Sequence, residues 1–181
     1  MSTPSAGGPA RRPTPSFADI VRMVVILAVG VVLAVWLGGQ LRTGDEAEPD
    51  TVDYLAVAAS ADEEASYPLA VPPSLPDGWR ATSARWKPED SSWHIGILTD
   101  DQQYVGIEQA SSGELAELMQ TYGAELVSEG TVEVAAADWT SYVGGSDGET
   151  ALALDSKESA ILLIGTVDRK QLEQLAADLT R

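Results

Sequence analysis

His94 is the one histidine in the chain, and there is no cysteine, so the range of side-chain chemistry is narrow from the start. Zero cysteine excludes a disulfide scaffold, a thiol nucleophile, a cysteine-based zinc site and a lipid-modified cysteine anchor. A single imidazole excludes any site that needs two. A serine hydrolase built here would have to use His94 as its base, with a serine such as Ser83 brought near it in space. Ser83 has no G-x-S-x-G elbow, and His94 lies in the middle of a strand pattern; a half-exposed strand histidine paired with Glu108 is the plainer reading. With twenty-seven acids in the larger part of the chain, a close carboxylate pair is expected by chance. No phosphate-binding loop, dinucleotide fingerprint, H-E-x-x-H or EF-hand loop occurs. The expectation is a protein that is not an enzyme and uses neither metal nor cofactor.

Arg85, Trp86, Trp93, His94 and Glu108 form the candidate binding cluster. Arg85 and Trp86 end one expected strand, and Trp93 and His94 begin the next across a short loop interrupted by Pro88. If the strands are neighbours, two indoles, a guanidinium and an imidazole gather at one end of a sheet. Aromatic faces and arginine are common anchors for a peptide, a polar lipid or a glycan. The competing reading makes Trp79, Trp93 and Trp139 core residues, sets Trp86 at a sheet edge and pairs Arg85 with a carboxylate.

The elements that must position these groups can be read from spacing. Asp53 caps a short Ala- and Glu-rich helix to Ser66. The segment after it carries Pro68, Pro72, Pro73 and Pro76 and must be irregular. Trp79–Trp86 reads as a strand, and WHIGILTDDQQYVGIEQ as a hairpin. Trp93, Ile95 and Ile97 share one face, as do Val105 and Ile107 on the return. Opposed residues of an antiparallel pair lie on the same side, so paired numbers must have an even sum. A three- or five-residue loop around Asp101 pairs Ile97 with Val105, Ile95 with Ile107, His94 with Glu108 and Trp93 with Gln109. A two-residue turn would oppose the apolar faces. Ser111 and Glu114 fit a capping box before a helix through Leu115, Leu118, Met119 and Tyr122 that Gly123 ends. Strands follow at 125–134, 138–143, 150–154 and 159–165, with GGSDG and DSKE as turns. Asp168 with Gln171 opens a last helix whose buried stripe is Leu172, Leu175, Ala176 and Leu179. The fold class is α+β: an antiparallel sheet packed with two or three helices, preceded by a transmembrane helix.

The chain of 181 residues has 28 acidic and 11 basic residues, a net charge of -17, which argues against nucleic acid as a partner. The charge is divided. Residues 1–42 carry Arg11, Arg12, Arg22 and Arg42 against Asp19, a net +3; the remainder has seven basic and twenty-seven acidic residues, a net -20. Between the two parts, Met23–Leu37 is an unbroken apolar run, and the uncharged stretch to Leu41 spans about 28 Å as a helix. That length nearly matches a hydrocarbon core of ~30 Å. Three arginines before the run against one after it set the N-terminus in the cytoplasm. No A-x-A site follows Trp36, which favours an uncleaved anchor over a signal peptide. The expected organisation is a disordered cytoplasmic tail (1–19), a transmembrane helix (20–41), an acidic linker (42–51) and an extracytoplasmic domain (52–181). Gly30, Ala34 and Gly38 line one face of the span and are candidates for helix packing in the membrane.

The run LPDGWRATSARW followed by WHIGILTDDQQYVGIEQ, together with the basic tail, the span and the final D-W-T-to-helix segment, resembles an actinobacterial family of single-pass membrane proteins. Their shared domain has no assigned function. The resemblance implies a place in a cell envelope and supplies no reaction. The reading that follows is a membrane-anchored extracytoplasmic module, non-catalytic, that binds a ligand or an envelope protein, with the lipid bilayer as the partner of residues 20–41. A structural accessory subunit docked through its helix is the alternative, and a hydrolytic enzyme the remote one.

Overall fold

Asp53 starts the folded part as expected, its side chain accepting from the Ala56 amide at 3.1 Å. The computed structural model describes residues 50–145 and 148–179; the expected tail, span, most of the linker, and the Gly30, Ala34 and Gly38 stripe lie outside the described residues. Among the described residues no helix is long and apolar enough to cross a membrane. Helix α1 covers Tyr54–Ala61 and stops short of Ser66, because two amides, of Glu64 and Ala65, turn back onto the Ala61 carbonyl. Strands β1 (Arg80–Lys87), β2 (Ser92–Leu98) and β3 (Tyr104–Ser111) follow, then helix α2 (Leu115–Tyr122). Strands β4 (Leu126–Val134), β5 (Ala137–Gly144), β6 (Glu149–Asp155) and β7 (Ser159–Gly165) precede helix α3 (Arg169–Ala177).

The strands form one antiparallel sheet in the order β1-β2-β3-β7-β6-β5-β4. The hairpin register is the one the even-sum argument requires: Ile97 opposite Val105, Ile95 opposite Ile107, His94 opposite Glu108, Trp93 opposite Gln109. Each half of the chain makes a meander, and β3 and β7 join them down the middle. Both are therefore buried on two faces, and β7 (SAILLIG) is a near-continuous apolar run, buried throughout, where the edge strands β1 and β4 are mostly half-buried or exposed.

Helices α1 and α3 lie on the first face. Trp93, Ile95, Ile97, Ile107, Trp139, Leu152, Ile161 and Leu163 form its core with Leu172 and Leu175. At ~1.5–3 kcal/mol for each fully buried large side chain, this layer is the main source of stability. Asp168 and Gln171 form the expected capping box of α3. On the second face α2 covers Ala151, Ala153, Ala160, Leu162 and Ile164 with Leu115, Leu118 and Met119. Ser111 does not cap α2. It ends β3 opposite Ser159, Glu114 takes the cap position, and only the reach-back half of the box forms, the Ser111 amide donating to Glu114 Oε2 at 3.0 Å.

The proline-rich lead-in crosses the first face and is held there by Gln109. Its Oε1 accepts from the Ala70 amide at 2.7 Å, and its Nε2 donates to the Pro68 carbonyl at 3.0 Å and to Ser159 Oγ at 2.8 Å. A segment whose prolines cannot join a sheet thus has its backbone groups met by one buried side chain.

Candidate functional site

Strand alternation divides the five residues of the candidate cluster. Trp93 is fully buried in the first-face core, its indole N–H donating to the Ala70 carbonyl at 3.2 Å. Trp86 packs on the same face, edge-on to Tyr67 with ring centroids 5.9 Å apart. Arg85, His94 and Glu108 stand on the second face, Arg85 directly opposite His94 and His94 directly opposite Glu108. The structure brings the three polar groups together and separates both tryptophans from them.

His94 is bonded through both ring nitrogens. Its Nδ1 lies 2.6 Å from Glu108 Oε1 and its Nε2 lies 2.9 Å from Ser83 Oγ. A carboxylate only accepts, so the neutral ring carries its proton on Nδ1 and offers Nε2 as acceptor to the Ser83 hydroxyl. The two contacts that the sequence sets against each other, pairing with Glu108 and proximity to Ser83, are made by one ring at once.

A bulge makes this possible. Ala81 faces the core opposite Ile97, and two residues on, Ser83 would face the core as well. The register shifts between Ala81 and Ser83, so Ser83 sits opposite Gly96 on the histidine's face while Ala84 returns to the core opposite Ile95. The extra residue re-aims one hydroxyl. Glycines supply the floor. A Cβ on Gly96 would stand 2.5 Å from Ser83 Oγ and 3.3 Å from His94 Nε2, and one on Gly106 would stand 3.4 Å from Glu108 Oε1. The hydrogen-bonded side chains lie flat on the sheet because those two positions have no side chains.

Two tyrosines surround the carboxylate. Burial, then the Glu108 charge, raises the phenol pKa of both Tyr104 and Tyr122, and a hydrogen bond to Glu108 adds to the rise at Tyr122; the Arg85 guanidinium opposes it at each. Tyr122, at the end of α2, is exposed and belongs to this network. It is also a wall of the adjoining groove, a cavity of about 470 Å³ lined by Lys87, Ser92, Ala110, Glu114, Leu118 and Tyr122 among others. Ser92 and Ala110 are the next residues along the same face from His94 and Glu108. The groove therefore begins where the network ends, although Ser83, His94 and Glu108 are not among its walls.

Among the described residues no group of three or more His, Asp or Glu side chains could hold a metal ion. Chemically, the arrangement provides a hydroxyl, an imidazole and a buried carboxylate in line. Sequence reasoning missed Tyr104, Tyr122 and the two glycines. The pattern H-x-G on β2 against G-x-E on β3 was the signal available for the glycines; nothing local marked the bulge or the approach of α2.

A family model described as Protein of unknown function (DUF4245) matches residues 12–179. No curated protein and no solved structure matches the chain.

Proposed function

The chain belongs to this family of unknown function, and on that premise we propose that it is an interaction module of the cell envelope, anchored by residues 20–41 with its folded domain outside. The observation that carries the reading is the groove beside the polar end of the second face, where no helix among the described residues packs over β1 and β2. Clefts with a few convergent polar groups are the usual form of binding sites. The sequence supports the address: an apolar run of spanning length within a first part, residues 1–42, of net charge +3, and a net -20 over the remainder. The acidic domain is repelled by an anionic bilayer surface and attracts basic partners, an attraction that salt weakens.

Topology has a clean test because the chain lacks cysteine. Ser5→Cys and Ser60→Cys variants in intact cells are exposed to a membrane-impermeant maleimide. Labelling of the second alone is expected; labelling of the first sinks the orientation. For binding, a photo-crosslinking residue at Thr121 in the groove wall is compared with one at Thr131 on β4. Capture of the same species from both positions, or from neither, would remove the groove from the proposal. The small-residue stripe favours a second reading, an accessory subunit docked through its helix. Replacing Gly30, Ala34 and Gly38 with Leu then removes co-purifying partners while groove substitutions leave them in place.

A further inference from the structure

We infer that Ser83 is an activated nucleophile, with His94 as its general base and Glu108 as the group that positions and charges the imidazole, and that the chemistry is acyl transfer from a carboxylic ester. The inference goes beyond the binding reading and does not rest on it, and it departs from the non-catalytic expectation drawn from the sequence. Its grounds are the two contacts on one ring, 2.9 Å from Ser83 Oγ to Nε2 and 2.6 Å from Nδ1 to Glu108 Oε1, which reproduce the order of a serine, histidine and carboxylate triad. Such triads are recognised by geometry and role, and recur on unrelated folds.

Three further features fit. The Glu108 carboxylate is 5% exposed and the His94 ring 13%, so the imidazolium formed during proton transfer would meet its counter-charge in a poorly solvated place. Ser83 is only half-buried, and among the described residues no helix packs on its strand on this face, which leaves room for a carbonyl to approach. Arg85, exposed and two residues along the strand, adds positive charge to the same face as Ser83 and His94.

The balanced sequence is short. Ser83 Oγ attacks the ester carbonyl carbon and its proton passes to His94 Nε2. The tetrahedral adduct collapses, the carbon–alkoxide bond breaks, and His94 returns that proton to the leaving oxygen, releasing an alcohol. Water then attacks the acyl carbon and gives a proton to His94. The Ser83 ester bond breaks, Oγ recovers the proton, and a carboxylic acid leaves. Ester and water become acid and alcohol, with no oxidant or metal required. Ser83 and His94 touch the reacting atoms; Glu108 acts through His94.

The test uses the full-length chain in detergent, a fluorophosphonate probe read by intact mass and peptide mapping, and p-nitrophenyl acetate read by absorbance. A single adduct on Ser83 is expected, absent in Ser83→Ala. His94→Asn should slow both adduct formation and ester hydrolysis by about 100-fold or more. Glu108→Gln should slow them less and change the shape of the pH profile, with Glu108→Asp restoring part of the rate, an outcome a merely structural carboxylate would not give. Each variant is checked by thermal melting, and the wild-type protein is decisive by itself. No Ser83 adduct in the wild type, an adduct only at another residue, or wild-type rates in His94→Asn would overturn the inference.

Discussion

Glu108 and Gln109 are neighbours on β3, both nearly inaccessible to solvent, and they do opposite work. Gln109 looks to the first face, where its partners are the backbone of the lead-in and the hydroxyl of Ser159. Glu108 looks to the second, where its surroundings are an imidazole, two phenols and a guanidinium, all able to carry charge or move a proton. A buried polar group whose partners are mainly backbone holds a segment in place. One whose partners are titratable side chains, beside a groove, stands where the proposed acyl transfer needs it. The contrast teaches where to cut: one residue should control stability and the other reactivity.

The largest expected effect is from Gln109→Leu. It leaves the Ala70 amide and the Pro68 carbonyl without their partner in the core, a loss of about 3 kcal/mol at ~1–3 kcal/mol per unsatisfied group. Urea unfolding should show it, while the share still folded keeps its second-face properties. Glu108→Gln should cost less than about 1 kcal/mol in the same titration, because an amide oxygen can still accept from the ring. Equal losses would erase the distinction between the faces.

Gly96→Ala is next. Its methyl meets Ser83 Oγ, so the hydroxyl must move off the ring. A loss of about 1 kcal/mol is expected, and the nitrogen NMR shift of His94 Nε2 should change, which no substitution at the core-facing neighbour Ile97 should reproduce. An effect of similar size and opposite sign comes from the β4–β5 turn, where Ala135 and Ala136 both hold positive φ, at 50° and 62°. Replacing the pair with Asn-Gly suits this turn and should raise stability by about 1 kcal/mol. The gain should leave the Ser83 and His94 contact unchanged.

The smallest effect is alkaline. Burial, reinforced by the Glu114 charge, raises the Tyr67 pKa above its ordinary value of 10.0. A phenol raised in the folded state contributes fully below the unfolded value, and that contribution is lost as pH rises past about 10. Stability measured between pH 9 and 11 should therefore fall. Tyr67→Phe should flatten the fall, and Tyr122→Phe, exposed on the second face, should flatten it less. A slope unchanged in Tyr67→Phe would show that other groups govern the alkaline limit.

Much of the local structure was legible because it rests on local rules. The parity of apolar positions fixed the β2–β3 register, and Asp168 with Gln171 marked a capping box that forms as read. The seven-strand order was not legible, since the pairing of β3 with β7 depends on matching apolar runs far apart in sequence. The site was half visible. Residues 93 and 94 follow one another on a strand and must point apart, so alternation already separated Trp93 from His94. Ser83 could not be placed, because a one-residue bulge reverses its side and leaves no local signature. Tyr122 was placed on a helix by its spacing, but which way that helix would turn it on the sheet, toward the carboxylate, was not legible.

The strand order has a kinetic consequence. Two meanders of sequential hairpins can form quickly, each from near neighbours, but they become one sheet only when β3 meets β7. At this seam the Gln109 to Ser159 bond spans 50 residues. Closing so long a loop costs entropy before any contact repays it, so joining the seam is the step expected to limit the folding rate. Helix α2 rests on β6 and β7 as well as on β3. Tyr122 is thus set beside Glu108 by a helix seated on both meanders, and the surroundings of Ser83, His94 and Glu108 are complete only in the joined sheet.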